Sequence, residues 1–118
     1  MHPIESRLSG FTGTENWYRW SVLYRNCVLT DGAKYLAEKA GAYWFMDIIG
    51  SILAKIKPHR FAVCKIEKRG RGCVFTADDG NDNVFYRQNI SLTDAPFNFK
   101  VFAQWNGEML VIMVPSEY

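Results

Sequence analysis

TDGAKYLAEKAGAYWFMDIIGSILAKIKP, residues 30–58, reads at helical period, and FAVCKI, residues 61–66, directly after it reads at period two. In the first stretch Ala33, Leu36, Ala37 and Ala40 form one apolar stripe. Phe45, Ile48, Ile49, Ile52, Leu53 and Ile56 form a second. At about 100° per residue the stripes point roughly 140° apart on one ideal helix, so a single straight helix would need burial on two sides. The spacing predicts a break near Gly41, giving a short helix and then a longer one that Pro58 ends. Thr30 or Asp31 supplies the N-cap, since either side chain can accept from the first free N–H groups.

Downstream the period stays at two. Residues 61–66 read as a strand, 68–72 as a basic turn and 73–76 as its return strand. A second turn at 78–83 leads into a strand over Val84–Ile90, and Thr93-Asp-Ala-Pro96 is a loop. Asn106-Gly107 predicts a two-residue type I′ turn, because both residues tolerate positive φ. That register would pair Trp105 with Glu108, Ala103 with Leu110 and Val101 with Ile112. Upstream, residues 1–10 read as a loosely ordered lead-in, 11–20 as an irregular aromatic segment packed on the domain, and Cys27–Leu29 as a short strand. The expected fold class is α+β in a single domain, 1–118: a helical segment over 31–56 packed on one face of a mostly antiparallel meander of about five strands.

The composition supports a packed domain. The chain has 118 residues, 48% hydrophobic and 15% aromatic, enough to fold without staples. The densest apolar run, Ala42 to Ile49, is interrupted by Asp47 and is too short to span a membrane. Residues 1–10 lack the apolar core of a signal peptide, which leads to an expectation of a cytoplasmic protein without membrane contact. Cys27, Cys64 and Cys73 are odd in number and lack metal-ligand spacing, although Cys64 and Cys73 would approach across a hairpin.

The net charge of +2 conceals an asymmetry. Residues 55–71 hold Lys55, Lys57, Arg60, Lys65, Lys68, Arg69 and Arg71 against Glu67 alone, which leaves the rest of the chain acidic. This clustering is what phosphate neutralisation needs. A solvated hairpin tip, or a contact with an acidic protein surface, explains it equally. No recognised nucleic-acid motif accompanies it: no RNP aromatics on adjacent strands, no helix-turn-helix pattern and no zinc knuckle.

Other chemistries find less support. His2 and His59 are the only histidines, and neither sits in a nucleophile–base arrangement. Asp78, Asp79, Asn81, Asp82 and Asn83 crowd one turn, but the calcium-loop spacing and its final Glu are missing. Asp, Asn and Gly are also what a hairpin turn demands. No metal site and no cofactor are expected. The aromatics around Trp17, Tyr18, Trp20, Tyr24, Tyr43, Trp44 and Phe45 read first as core, with Trp20 and Tyr24 as the exceptions that would meet a partner.

FTGTENWYR (11–19), TDGAKYLAEKAGAYWFMD (30–47), Asp79-Gly80 with Val84–Ile90, Thr93-Asp94 and PSEY (115–118) together resemble a family of short uncharacterised proteins, a domain of unknown function, from bacteria and their phages. The resemblance touches most of the chain from residue 11 onward and carries no catalytic assignment. It implies a small phage or mobile-element accessory protein. Within the resembling segments Glu15, Asp47 and Glu117, near Trp17, Tyr18, Trp44 and Tyr118, would form a carboxylate-centred pocket if the chain were an enzyme. Asp47 also falls opposite the second apolar stripe with Ser51 and Ala54, as a solvated helix residue would.

The expected function is therefore non-enzymatic binding of a host protein or protein–nucleic-acid complex, with a bacterial defence system such as CRISPR–Cas as the setting. The contacts would be Lys55, Lys57, Arg60, Lys68, Arg69, Arg71, Trp20 and Tyr24. A nucleic-acid-binding accessory using the basic hairpin and a small carboxylate enzyme are the alternatives.

Overall fold

Thr30 opens the first long helix as expected: its side chain accepts from Ala33 N at 3.3 Å. In the computed structural model, which describes residues 3–8, 10 and 16–118, the helices are α1 (Pro3–Leu8), α2 (Asp31–Lys39), α3 (Tyr43–Ser51) and α4 (Leu53–Ile56). The predicted break is real. Gly41 takes φ +61, and Ala42 N donates to Ala37 O at 2.8 Å, the closing bond of a Schellman termination. The chain can then redirect its second stripe, so that Ala33, Leu36 and Ala37 of α2 and Phe45, Met46 and Ile49 of α3 are buried in one core. Pro58 does not stop the helix outright. It lies in a final 3-10 turn, Lys57–His59, and the chain leaves through Arg60 in the left-handed region at φ 62.

The sheet has six strands: β1 (Cys27–Leu29), β2 (Phe61–Arg69), β3 (Gly72–Asp78), β4 (Val84–Ile90), β5 (Phe99–Trp105) and β6 (Leu110–Met113), in the order β1-β6-β5-β2-β3-β4. All pairings are antiparallel except β1 with β6. Two expectations are corrected. The strands after the helices are not a simple meander, because β5 returns past the hairpin pair to the other side of β2. The Asn106 turn is also not a two-residue one: Trp105 pairs with Leu110 and Ala103 with Ile112. Asn106 spends its side chain on the loop, Oδ1 accepting from Glu108 N at 2.9 Å and Met109 N at 2.8 Å. Gly107, at φ +100, supplies the positive φ. The slip is two residues, so every side chain keeps its face.

Helices cover one face of the sheet. Phe45 meets Phe75 and Phe99 edge-on at 5.5 and 4.9 Å in the centre of that layer. A smaller cluster of Val28, Val111 and Met113 lies on the opposite face. The segment expected as a loose lead-in holds α1, whose Ile4 and Leu8 pack on the main core. Residues 16–21 form an irregular strap tied to β1 by paired bonds between Tyr18 and Leu29, both 2.8 Å.

The residues after β6 fasten the sheet to α2. Glu117 Oε1 accepts from Thr30 Oγ1 at 2.5 Å and from Val114 N at 3.0 Å, while Oε2 accepts from Gly32 N at 3.0 Å. The carboxylate thus sits on the free N–H groups at a helix start. Gly32 is required there, since a Cβ would lie 2.5 Å from Glu117 Oε1 and 2.6 Å from Val114 Cγ2.

Candidate functional site

The basic segment does not become one patch. Lys55, Lys57 and Arg60 are exposed at the start of β2, whereas Lys68, Arg69 and Arg71 surround the Gly70-Arg71 turn at its far end. A nine-residue strand separates the two groups by roughly 26 Å. At the first pole Lys57 Nζ lies 4.6 Å above the Trp105 ring. At the second, Arg69 pairs with Glu67 at 3.3 Å, and strand alternation turns Lys68 and Arg69 to opposite faces. The charge run seen along the chain is divided in space because the residues carrying it are themselves a strand.

The proposed carboxylate pocket is also divided. Glu15 and His2 lie outside the described residues. Asp47 is exposed, as are Ser51 and Ala54, and it lines a cleft of about 550 Å³ with Tyr18, Trp20, Lys34 and Tyr43. Glu117 and Trp17 line a different cleft of about 280 Å³, and Glu117 is committed to the fastening contacts above. Trp44 stands edge-on against Phe45 at 6.2 Å, and Tyr118 lies against Phe61 and Phe102. The two described carboxylates, Asp47 and Glu117, therefore line separate clefts.

The thiols and the imidazole are poorly placed for nucleophilic work. All three cysteines are buried and unpaired, and the register sets Cys64 opposite Ala77 and Cys73 opposite Lys68 rather than opposite each other. Burial pushes the Cys27 thiol up to about 11, and Cys64 and Cys73 in the same direction, away from the reactive thiolate. His59 is stacked on Phe85 at 4.3 Å. The acidic turn is held by its own backbone: Asp78 Oδ1 accepts from Gly80 N at 2.8 Å, and Asp79 accepts from Asn81 N at 2.9 Å. Among the described residues no cluster of three or more His, Cys, Asp or Glu could hold a metal ion.

What the fold does assemble is the strap face. Ser21 caps a 3-10 turn over Val22–Tyr24 by accepting from Leu23 N at 3.1 Å. The two aromatics expected to meet a partner instead clamp this turn to α3. Trp20 Nε1 donates to Asp47 Oδ1 at 2.9 Å, and the Tyr24 ring covers Gly50, where a Cβ would come within 2.6 Å. With Trp20 and Tyr24 turned inward, Val22 and Leu23 are left 79% exposed each. Arg19 and Arg25 line a cleft of about 660 Å³ with Val22, Arg19 Nε donating to Arg25 O at 2.9 Å. On the other side Lys34 Nζ lies 4.2 Å over the Tyr18 ring. The hydrogen bond that Tyr18 donates to Asp31 raises its hydroxyl pKa, with burial adding to it. Val22, Leu23, Arg19, Arg25 and Lys34 were not singled out from sequence. Apolar residues beside arginines read there like any short strand, and only Ser21 hinted at a turn.

Phe61 on β2 and Phe102 on the neighbouring β5 bring their rings to 5.3 Å. Among the described residues no helix is long and apolar enough to cross a membrane.

No curated protein sequence and no solved structure matches the chain. A family model does, over residues 2–118, and the chain belongs to the family that model defines, the family of unknown function DUF6876.

Proposed function

We propose that this chain is a non-enzymatic binding protein whose strap face docks on a protein partner. The observation that carries the reading is the exposure of Val22 and Leu23, 79% each, on a turn held rigid from behind by Trp20 and Tyr24. Such side chains in a monomer surface are ordinary singly. Here the pair is contiguous, and Val22 shares a cleft with Arg19 and Arg25, a residue type that anchors protein interfaces. Burying the two aliphatics is worth about 1.5–3 kcal/mol each, and a preformed turn loses little entropy on docking. The chemistry fits a partner groove with an apolar floor and an acidic rim. In the setting implied by the sequence resemblance, the partner is a host protein met in the bacterial cytosol. The action is then steric occlusion, with a defence complex such as CRISPR–Cas as the target class.

The test compares the wild-type chain with Val22→Asp/Leu23→Asp as immobilised baits in host lysate, followed by calorimetry on each purified candidate. A true partner binds the wild type and Lys68→Ala/Arg71→Ala alike and loses at least 10-fold in affinity for the aspartate variant. Equal binding by the aspartate variant would end the reading.

A further inference from the structure

The sheet face turned away from the helices carries two groups of side chains that the strap face does not use. By register, Lys100 on β5, Lys65 on β2, Thr76 on β3 and Arg87 on β4 stand in one cross-strand row. Three strand spacings make that row about 14 Å long. Lys65, Lys100 and Arg87 are exposed. Toward one end of the same face, Tyr118 lies over the Phe61–Phe102 pair, its ring centroid 5.4 Å from Phe61 and 5.2 Å from Phe102. Tyr118 is itself 69% exposed. Phe102 is two residues from Lys100, about 7 Å along the strand.

The charge balance on this face favours an anion. Lys65 reaches Asp78 at 3.8 Å and Arg69 reaches Glu67 at 3.3 Å. Among the described residues Lys100 and Arg87 have no such partner, so they carry the excess charge. A flat sheet with aromatic rings beside a line of cations is what an unstacked strand of bases and phosphates requires. A duplex hides its base faces and cannot use the rings.

We propose that this outer face binds single-stranded nucleic acid, with a base stacking on Tyr118, which the Phe61–Phe102 pair supports from beneath, and phosphates running along Lys100, Lys65 and Arg87. The site is separate from the basic hairpin tip, whose cations diverge, and from the strap face. A chain with both surfaces would engage a protein and its bound single strand together.

The experiment measures fluorescence anisotropy of a fluorescein-labelled 15-nucleotide oligothymidylate, with a 15-base-pair duplex as comparison. The single strand should bind in preference to the duplex. Three phosphate contacts should weaken binding roughly 20-fold between 50 and 200 mM salt. Tyr118→Ala should weaken it about 5- to 150-fold with the salt slope unchanged, the mark of lost stacking. Lys100→Glu/Arg87→Glu should flatten the slope, and Val22→Asp/Leu23→Asp should leave affinity unchanged. These positions are exposed, and an unchanged urea midpoint would confirm that each variant folds. The proposal is overturned by absent single-strand binding at 50 mM salt, by preference for the duplex, or by a Tyr118→Ala variant that binds like the wild type.

Discussion

Replacing Glu117 by alanine should destabilise the fold by about 3 kcal/mol, a structural cost separate from either binding face. Its carboxylate serves three donors: the Thr30 hydroxyl and the Gly32 and Val114 N–H groups. Thr30 is 2% exposed, Val114 is 1% exposed, and Gly32 is buried. A buried donor that loses its partner costs about 1–3 kcal/mol. The low end applies here, because Glu117 is only half-buried and water can enter the space it vacates. Three such losses, with the carboxylate's interaction with the α2 N-terminus included, give about 3 kcal/mol. Glu117→Gln keeps one acceptor oxygen and should cost about half as much. With an unfolding entropy of roughly 0.25 kcal/mol per kelvin for a chain of this size, alanine lowers Tm by about 12 °C. Urea unfolding should show a lower midpoint at unchanged slope. A double-mutant cycle with Thr30→Val should give a coupling of about 1 kcal/mol or more. A loss below about 0.5 kcal/mol, or additive effects of the two substitutions, would refute the fastening role.

Three further outcomes are expected. Trp20→Phe removes the 2.9 Å bond to Asp47, an exposed contact, so urea midpoints should report about 0.5–1.5 kcal/mol and no further loss when Asp47→Ala is added. Asn106→Ala unties Glu108 N and Met109 N at a solvated loop and should cost about 1 kcal/mol, while cross-strand NMR contacts should join Ala103 to Ile112 rather than to Leu110. The third concerns pH: the folded thiols are raised, Cys27 to about 11, so the native state holds protons that the unfolded chain releases first. Their contribution is complete below the unfolded thiol range near pH 8.5 and is lost as pH rises toward 11. Stability should decline over that window, and Cys27→Ser/Cys64→Ala/Cys73→Ala should flatten the decline.

Local chemistry made much of the fold legible. Thr30 as cap, the break at Gly41, the short Cys27–Leu29 strand and the change of period after Pro58 each rest on neighbouring residues, and each appears where the sequence places it. The errors arose where several local solutions were equally good. Asn106-Gly107 suits a tight turn by φ preference, but the Asn106 side chain offers the loop two hydrogen bonds, and the slip leaves the apolar pattern intact. The place of β5 was unreadable because period two says which face a strand buries, not which strand it joins.

By itself, the sequence determined the α+β class, the start and end of α2, much of the buried set and the overall charge, all of which depend on interactions within a few residues. The tertiary structure alone decided the sites. It divided a continuous basic run between two ends of β2, committed Glu117 to Thr30 eighty-seven positions away, and turned Trp20 and Tyr24 inward so that Val22 and Leu23 face solvent. It also aligned Lys100, Lys65 and Arg87, which lie apart in the chain, along one row. The physical reason is that a binding surface is made by residues that strand order and register bring together, and those long-range pairings leave no local periodicity to read.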